Sequence, residues 1–238
     1  MSTSNSYDFT TTRNELIADA LRLLGVVAEG GTPTSDQYST GAEALNLLLK
    51  EWETAGLPIW AIKKQSISLS ASTASYTIGL SQTVNVAKPL RIYQAYLHDT
   101  SSSVDVPMVR LSQEEYNRLG NKTSEGNPVN YYYENLRTTG TIYFFPTPDS
   151  TAASGKTVEI VYQAPFQDFD SSTDEPDVPQ ELMRALKFNL AADLAWDYGY
   201  PIKDRQLLMM KAEALKQEAF SFVQEEASLF FGIERRSY

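Results

Sequence analysis

Apolar residues recur at helical spacing at both ends of this chain and lose that rhythm through its long middle. Near the start, Thr12-Arg-Asn-Glu15 has the capping-box pattern, in which a hydroxyl and a carboxylate three residues apart satisfy each other's free amides. Leu16, Ile17, Ala20, Leu21 and Leu24 then fall on one helical face, with Gly25 placed to stop the helix. A second helix is predicted from Thr34 or Ser35, with Tyr38, Ala42, Leu45, Leu48, Leu49 and Trp52 as its stripe and Gly56 and Pro58 at its end. The rhythm returns after Pro179, which suits a first helical turn. Leu182, Met183, Leu186, Leu190 and Leu194 form a third stripe, and Tyr198-Gly-Tyr-Pro201 breaks it. In the last helix Leu208, Ala212, Leu215, Ala219 and Phe222 step by four, three, four and three, like a coiled-coil seam.

From about Trp60 to Tyr162 the chain is instead rich in Ser, Thr, Tyr, Val and Ile. Residues 65–69, 76–78, 90–97, 129–133, 142–145 and 158–162 are short strand candidates separated by Gly, Pro, Asn and Ser. A second capping box, Ser112-Gln-Glu-Glu115, marks a helical interruption. The predicted fold is therefore α+β. Residues 1–60 and 165–228 supply a four-helix bundle built from the N-terminal and C-terminal helix pairs. Residues 61–164 form an inserted β-rich domain, and 229–238 form a C-terminal arm. Residues 167–181 hold six carboxylates and read as an extended, solvated linker.

Composition narrows the chemistry. The absence of cysteine rules out disulfides, thiolate metal sites and a cysteine nucleophile. His98 is the single histidine, so no multi-histidine metal centre exists within one chain, and any Ser-His-Asp triad must use it. A formal charge of −10 is a poor basis for tight phosphate binding, which needs clustered Lys and Arg. Residues 1–12 carry neither a positive n-region nor an apolar h-region, and no apolar run is long enough to span a bilayer, so neither a secretory signal nor a membrane span is expected.

The motifs that suggest chemistry are incomplete. Gly120-Asn-Lys-Thr123 has Asn121 where a phosphate loop needs Gly before Lys, and so reads as a surface loop. Asp168-x-Asp170-x-Ser172-x-Asp174 lacks the turn glycine of a calcium loop and meets Pro179 where the bidentate Glu belongs, which excludes an EF-hand. Adjacent strand residues point to opposite faces, so Asp99 is badly placed to orient His98, and no G-x-S-x-G elbow is present. Paired carboxylates remain as a catalytic option, because glycoside cleavage needs only two of them across a cleft. Asp193 and Asp197 lie one helical turn apart, as do Glu114 and Arg118; such pairs are usually solvated faces. No cofactor is expected.

The end of the chain combines Leu229, Phe230, Phe231, Ile233 and Tyr238 with Arg235 and Arg236. Aromatics with arginine are the side chains enriched at interface hot spots. These residues either finish packing the bundle or form an arm that docks into a groove on another protein.

Four stretches carry a resemblance to the head-to-tail adaptor proteins of short-tailed bacteriophages, also called head-completion or packaged-DNA stabilisation proteins. The first runs from Thr12-Arg-Asn-Glu-Leu-Ile through Leu21-Arg-Leu-Leu-Gly25, and the second is Gly41-Ala-Glu-Ala-Leu-Asn-Leu-Leu-Leu-Lys-Glu-Trp52 followed by Gly56 and Trp60. The third comprises Pro89-Leu-Arg-Ile, Leu111-Ser-Gln-Glu-Glu-Tyr116, Lys122, Gly126-Asn-Pro128, residues 131–133 and Ile142-Tyr-Phe-Phe-Pro-Thr-Pro148. The fourth runs from Pro179 to Asn189-Leu-Ala-Ala192. The resemblance implies a structural protein with no defining catalytic residues, located in the neck of the virion and assembled in the host cytoplasm. It implies a dodecameric ring beneath the portal protein, a tail nozzle protein and in some relatives tail fibres or spikes on the opposite face, and DNA passing through the lumen. It also implies that the arm runs along the portal, which makes Leu229, Phe230, Phe231, Ile233, Arg235, Arg236 and Tyr238 portal-interface candidates. The alternative function is a virion-associated cell-wall glycosidase using paired carboxylates.

Overall fold

The structure is a computed structural model that describes residues 9–54 and 61–223. The fold is mixed α/β, and the described residues divide into two compact units. One draws on Met1–Ile59 and Gln167–Tyr238, the other on Trp60–Phe166.

The first unit is helical. α1 (Arg13–Leu23) opens with the predicted box: Thr12 caps the Glu15 amide, and the Glu15 carboxylate returns to the Thr12 amide at 2.9 Å. It ends where Gly25 takes φ +69°, which lets Gly25 N–H reach the Arg22 carbonyl and Val26 N–H the Leu21 carbonyl. α2 (Ser35–Thr54) starts on a reciprocal Thr34–Gln37 cap. A 3₁₀ turn (Gln180–Leu182) leads into α5 (Met183–Asp197), and α6 (Ile202–Val223) follows. α5 packs along α6 and against α1 and α2, and α1 also meets α2. Leu16, Ile17, Leu21, Leu45, Leu49, Leu186, Leu190 and Leu194 are buried there, the apolar positions that the helical spacing predicts. Trp52 meets Phe220 edge-on, with ring centroids 5.2 Å apart.

The acidic segment meets expectation in its side chains and departs from it in its backbone: five of its six carboxylates are exposed, but the chain that carries them is tied to the helices. Phe169 is buried, and Asn46 holds its backbone through both amide atoms. Lys50 pairs with Asp168 at 2.9 Å. The carbonyls of Asp174 and Ser172 accept from the N–H groups of Arg13 and Asn14. Those amides have no partner within their own helix, so the loop is held down because the start of α1 needs acceptors. Two carboxylates also act locally: Asp174 accepts from the amides of Asp170 and Ser171, and Asp168 faces Lys50.

The second unit is built on sheets. β1 (Ile62–Ser68), β11 (Lys156–Gln163), β4 (Arg91–Asp99) and β5 (Val104–Pro107) form an antiparallel sheet in that order. β3 (Val84–Asn85), β2 (Ser75–Gly79), β9 (Gly140–Phe145), β8 (Asn130–Asn135) and β6 (Val109–Arg110) form a mixed sheet. A short parallel pair joins β7 (Glu125–Gly126) to β10 (Thr147–Pro148). α3 (Gln113–Asn117) begins on the predicted Ser112–Glu115 box, and α4 (Ser150–Gly155) is capped by Asp149. The inward residues of both larger sheets close on one core, which includes Ile67, Ile78, Ile92, Tyr131, Ile142, Phe144, Val158 and Ile160.

Candidate functional site

α2, α5 and α6 enclose a groove of about 640 Å³ in the helical unit. Leu48 and Glu51 come from α2, Asn189, Ala192 and Asp193 from α5, and Met209, Met210, Ala212, Glu213 and Lys216 from α6. Two polar ties hold it. Asn189 donates to the carbonyls of Ala185 (2.8 Å) and Ala212 (3.1 Å), which bridges α5 to α6. Lys216 reaches Glu51 at 3.0 Å, which ties α6 to α2.

Lys216 is engaged by Glu51, so Asp193 sits in a recess rich in negative charge. Loss of hydration pushes its carboxyl up to about 6, the charge of Glu51 adds to the rise, Lys216 opposes it, and Asp197 adds to it again. Chemically the groove offers thioether and aliphatic walls beside carboxylates, which suits an apolar segment bearing a cation. Asp193 and Asp197 are both exposed, as the solvated-pair reading expects; Asp193 stands at the open side of the groove, where α2 and α6 flank α5.

The other sequence-derived candidates resolve into structural roles. His98 Nδ1 meets Asp105 Oδ1 at 2.6 Å across the β4–β5 ladder. Asp99 instead accepts from the Ser101 hydroxyl and the Ser101 and Ser102 amides, which hold its carboxyl far below the usual range. Asn121 closes a turn on Thr123, and Lys122 lies over the Tyr116 ring at 5.0 Å. Glu114 pairs with Arg118 at 2.6 Å on an exposed helix. Among the described residues no three His, Cys, Asp or Glu side chains are grouped to hold a metal, and no helix is long and apolar enough to cross a membrane. Residues 229–238, with the arm candidates, lie outside the described residues.

Two surface features had no periodic signal to reveal them. Tyr116, Tyr132 and Tyr143 form a cluster with centroids 5.2–5.7 Å apart. On the helical unit, Trp196, Ile202, Leu207 and Met210 are all more than half exposed, and Arg205 lies 4.2 Å over the Trp196 ring. Exposed apolar side chains gathered on two consecutive helices fit a contact surface.

Comparison with protein families gives one that spans nearly the whole chain, the SU10 adaptor protein, matched over residues 11–229. The chain belongs to the SU10 adaptor protein family. By family the chain is a phage head-to-tail adaptor, a structural component of the virion that acts with other head and tail proteins. A comparison with curated proteins found no match. The match covers both units of the chain, the helices that line the groove included.

Proposed function

We propose that this protein forms a dodecameric ring in the virion neck, joins the portal to the tail nozzle protein, and helps retain packaged DNA. The family match over residues 11–229 carries the reading. In it, residues 1–60 and 165–228 are a four-helix bundle, the β-rich domain 61–164 is an insertion, and the arm 229–238 docks on the portal through Leu229, Phe230, Phe231, Ile233, Arg235, Arg236 and Tyr238. The packing of α5 against α1, α2 and α6, and of α1 against α2, supports the bundle. The exposed Trp196, Ile202, Leu207 and Met210 support a role in contact with other subunits. A cyclic assembly uses two different faces of each copy, so its interface is heterologous.

Twelve copies at −10 each give a formal charge of about −120. Negative charge on the lumen repels DNA from the wall and lets it slide without sticking. The nozzle, and tail fibres or spikes where present, occupy the opposite face, and assembly takes place in the host cytoplasm.

Deleting residues 229–238 tests the portal contact. The expected result is a folded protein that no longer binds portal. Retained portal affinity assigns those residues to finishing the bundle instead.

The raised Asp193 carboxyl favours one second reading, a virion-associated glycosidase in which a protonated Asp193 serves as acid opposite Glu51. Release of soluble fragments from peptidoglycan by the purified protein, abolished by Asp193→Asn, supports that reading. No release removes it.

A further inference from the structure

β4 is paired unevenly along its two sides. β11 runs beside it from Arg91 to Asp99, while the ladder to β5 covers only Tyr96–Asp99. One further bond on that side runs from the Met108 N–H to the Ala95 carbonyl at 2.9 Å, before the chain leaves to pair β6 with β8 in the other sheet. Among the described residues, 91–94 of β4 therefore have no strand partner on the β5 side, an open edge of about 13 Å. A cavity of about 390 Å³ lies at that edge, lined by Tyr93, Gln94, Ala95 and Tyr96 together with Met108, Arg110 and Tyr131. Successive strand side chains point to opposite faces, so four consecutive residues line one cavity only where the backbone edge of the strand forms part of its wall. A bulge contributes: the β4–β11 register shifts between Val161 and Tyr162, which leaves Tyr93 out of the ladder.

The polar groups on this wall lean towards donors. Among the described residues, the Arg110 guanidinium, the Gln94 amide and the Tyr131 hydroxyl have no hydrogen bond or ion pair. Tyr131 is only 2% exposed, and its ring belongs to the core of the unit. Burial pushes its hydroxyl up, so it stays a proton donor, and the charge of Arg110 acts on it as well. Asp105 also lines the cavity, but its carboxylate is held by His98 Nδ1 at 2.6 Å and not by Arg110.

We propose that the open edge of β4 takes an extended peptide segment of a partner protein, which adds as a strand and sets a carboxylate against Arg110 and the Tyr131 hydroxyl. The unmatched main-chain edge selects an extended chain, and the unpaired guanidinium beside a neutral donor selects its charge. Tyr93, Tyr96 and Met108 offer apolar contact to the neighbouring side chains of the segment. The other edge of the same sheet in a second copy is a poor occupant, because β1 carries Lys63 and Lys64. The site lies wholly within the β-rich unit and needs neither a ring nor the portal.

The probe is a fluorescein-labelled peptide library of the form X-X-Glu-X-X, with X drawn from Val, Ile, Thr and Tyr, and a matched library with Gln at the centre. Both are titrated against the full chain by anisotropy. The best Glu peptides are expected to bind about tenfold more tightly than their Gln counterparts. Arg110 is exposed, so Arg110→Gln leaves the fold intact, and it is expected to remove that preference. Tyr131→Phe keeps the buried ring and is expected to reduce it. Two alternately N-methylated copies of the best peptide read the edge. An added strand turns its backbone groups to the edge at every second residue, so one copy is expected to lose binding and the other to keep it. The proposal is overturned by no binding from either library, by equal binding of Glu and Gln peptides, by a preference that survives Arg110→Gln, or by equal affinity of the two methylated copies. Self-association of the chain that Arg110→Gln abolishes assigns the edge to a second copy and overturns it too. Each of these results leaves the adaptor reading standing, because none of the measurements involves the portal.

Discussion

Asn46 on α2 holds Phe169 from both sides of its peptide: Oδ1 accepts from the Phe169 N–H at 2.9 Å, and Nδ2 donates to the Phe169 carbonyl at 3.4 Å. The pair is 123 positions apart in sequence. It fixes the loop whose next carbonyls cap the first amides of α1, so one side chain couples α2 to the start of α1.

Asn46→Ala leaves a partly buried backbone donor and acceptor unmatched, and is expected to cost about 2 kcal/mol of stability. Denaturant unfolding measures the loss. Amide hydrogen exchange at Arg13 and Asn14 is expected to quicken in the same variant, because their acceptors on the loop are released. A loss of stability with unchanged exchange at those two amides contradicts the coupling.

Gly41 on α2 leaves no room for a side chain, since an added Cβ overlaps the Ile17 methyl on α1. Helix propensity alone favours Gly41→Ala by about 1 kcal/mol. Overpacking costs about 1–3 kcal/mol, so the net change is destabilising. In an Ile17→Ala background the overlap is gone and Gly41→Ala becomes neutral or stabilising. The four-protein cycle, read by thermal unfolding, checks the change of sign.

Asp193 gives a signed pH dependence. Its folded carboxyl is raised from 3.8 to about 6. The fold therefore prefers the protonated form; the associated stability is complete below the unfolded value and is lost as pH rises from about 4 through 6. The side chain is reached by solvent, and screening trims the effect to about 1 kcal/mol. Asp193→Asn is expected to match the wild type near pH 4, to exceed it at pH 7.5, and to show a flatter profile between. Equal slopes in the two proteins contradict the recess described for Asp193.

Both capping boxes and the apolar stripes of α1, α2, α5 and α6 were legible because they depend on neighbours a few residues away. Strands β2, β9 and β11 were legible for the same reason. Two-residue strands such as β3, β6, β7 and β10 were not, since each exists only through a partner distant in the chain or across a turn. The acidic segment was legible in part: its run of carboxylates signals the solvated side chains it has, but its backbone carbonyls, which carry no sequence signature, are what α1 requires. The groove beside Asp193 joins residues from three helices, and nothing local to this exposed carboxylate signals the neighbours that α2 and α6 bring to it.

Tyr133 probes the β-rich unit. Its hydroxyl donates to the Pro89 carbonyl at 2.8 Å within the core, and burial pushes it up to about 12. Tyr133→Phe leaves that carbonyl without its donor and is expected to cost about 1–2 kcal/mol at neutral pH. Because the neutral phenol is the form the fold favours, its contribution is complete below pH 10 and lost as pH rises towards 12. The stability difference between wild type and variant is expected to shrink over that interval; a constant difference contradicts the assignment.

The most direct test of the adaptor assignment is single-molecule mass measurement of the purified protein, alone and mixed with the portal of the same phage. The account predicts that portal addition produces one new species heavier than the portal by twelve copies of the 26.6 kDa chain. A chain whose mass distribution is unchanged by portal contradicts it.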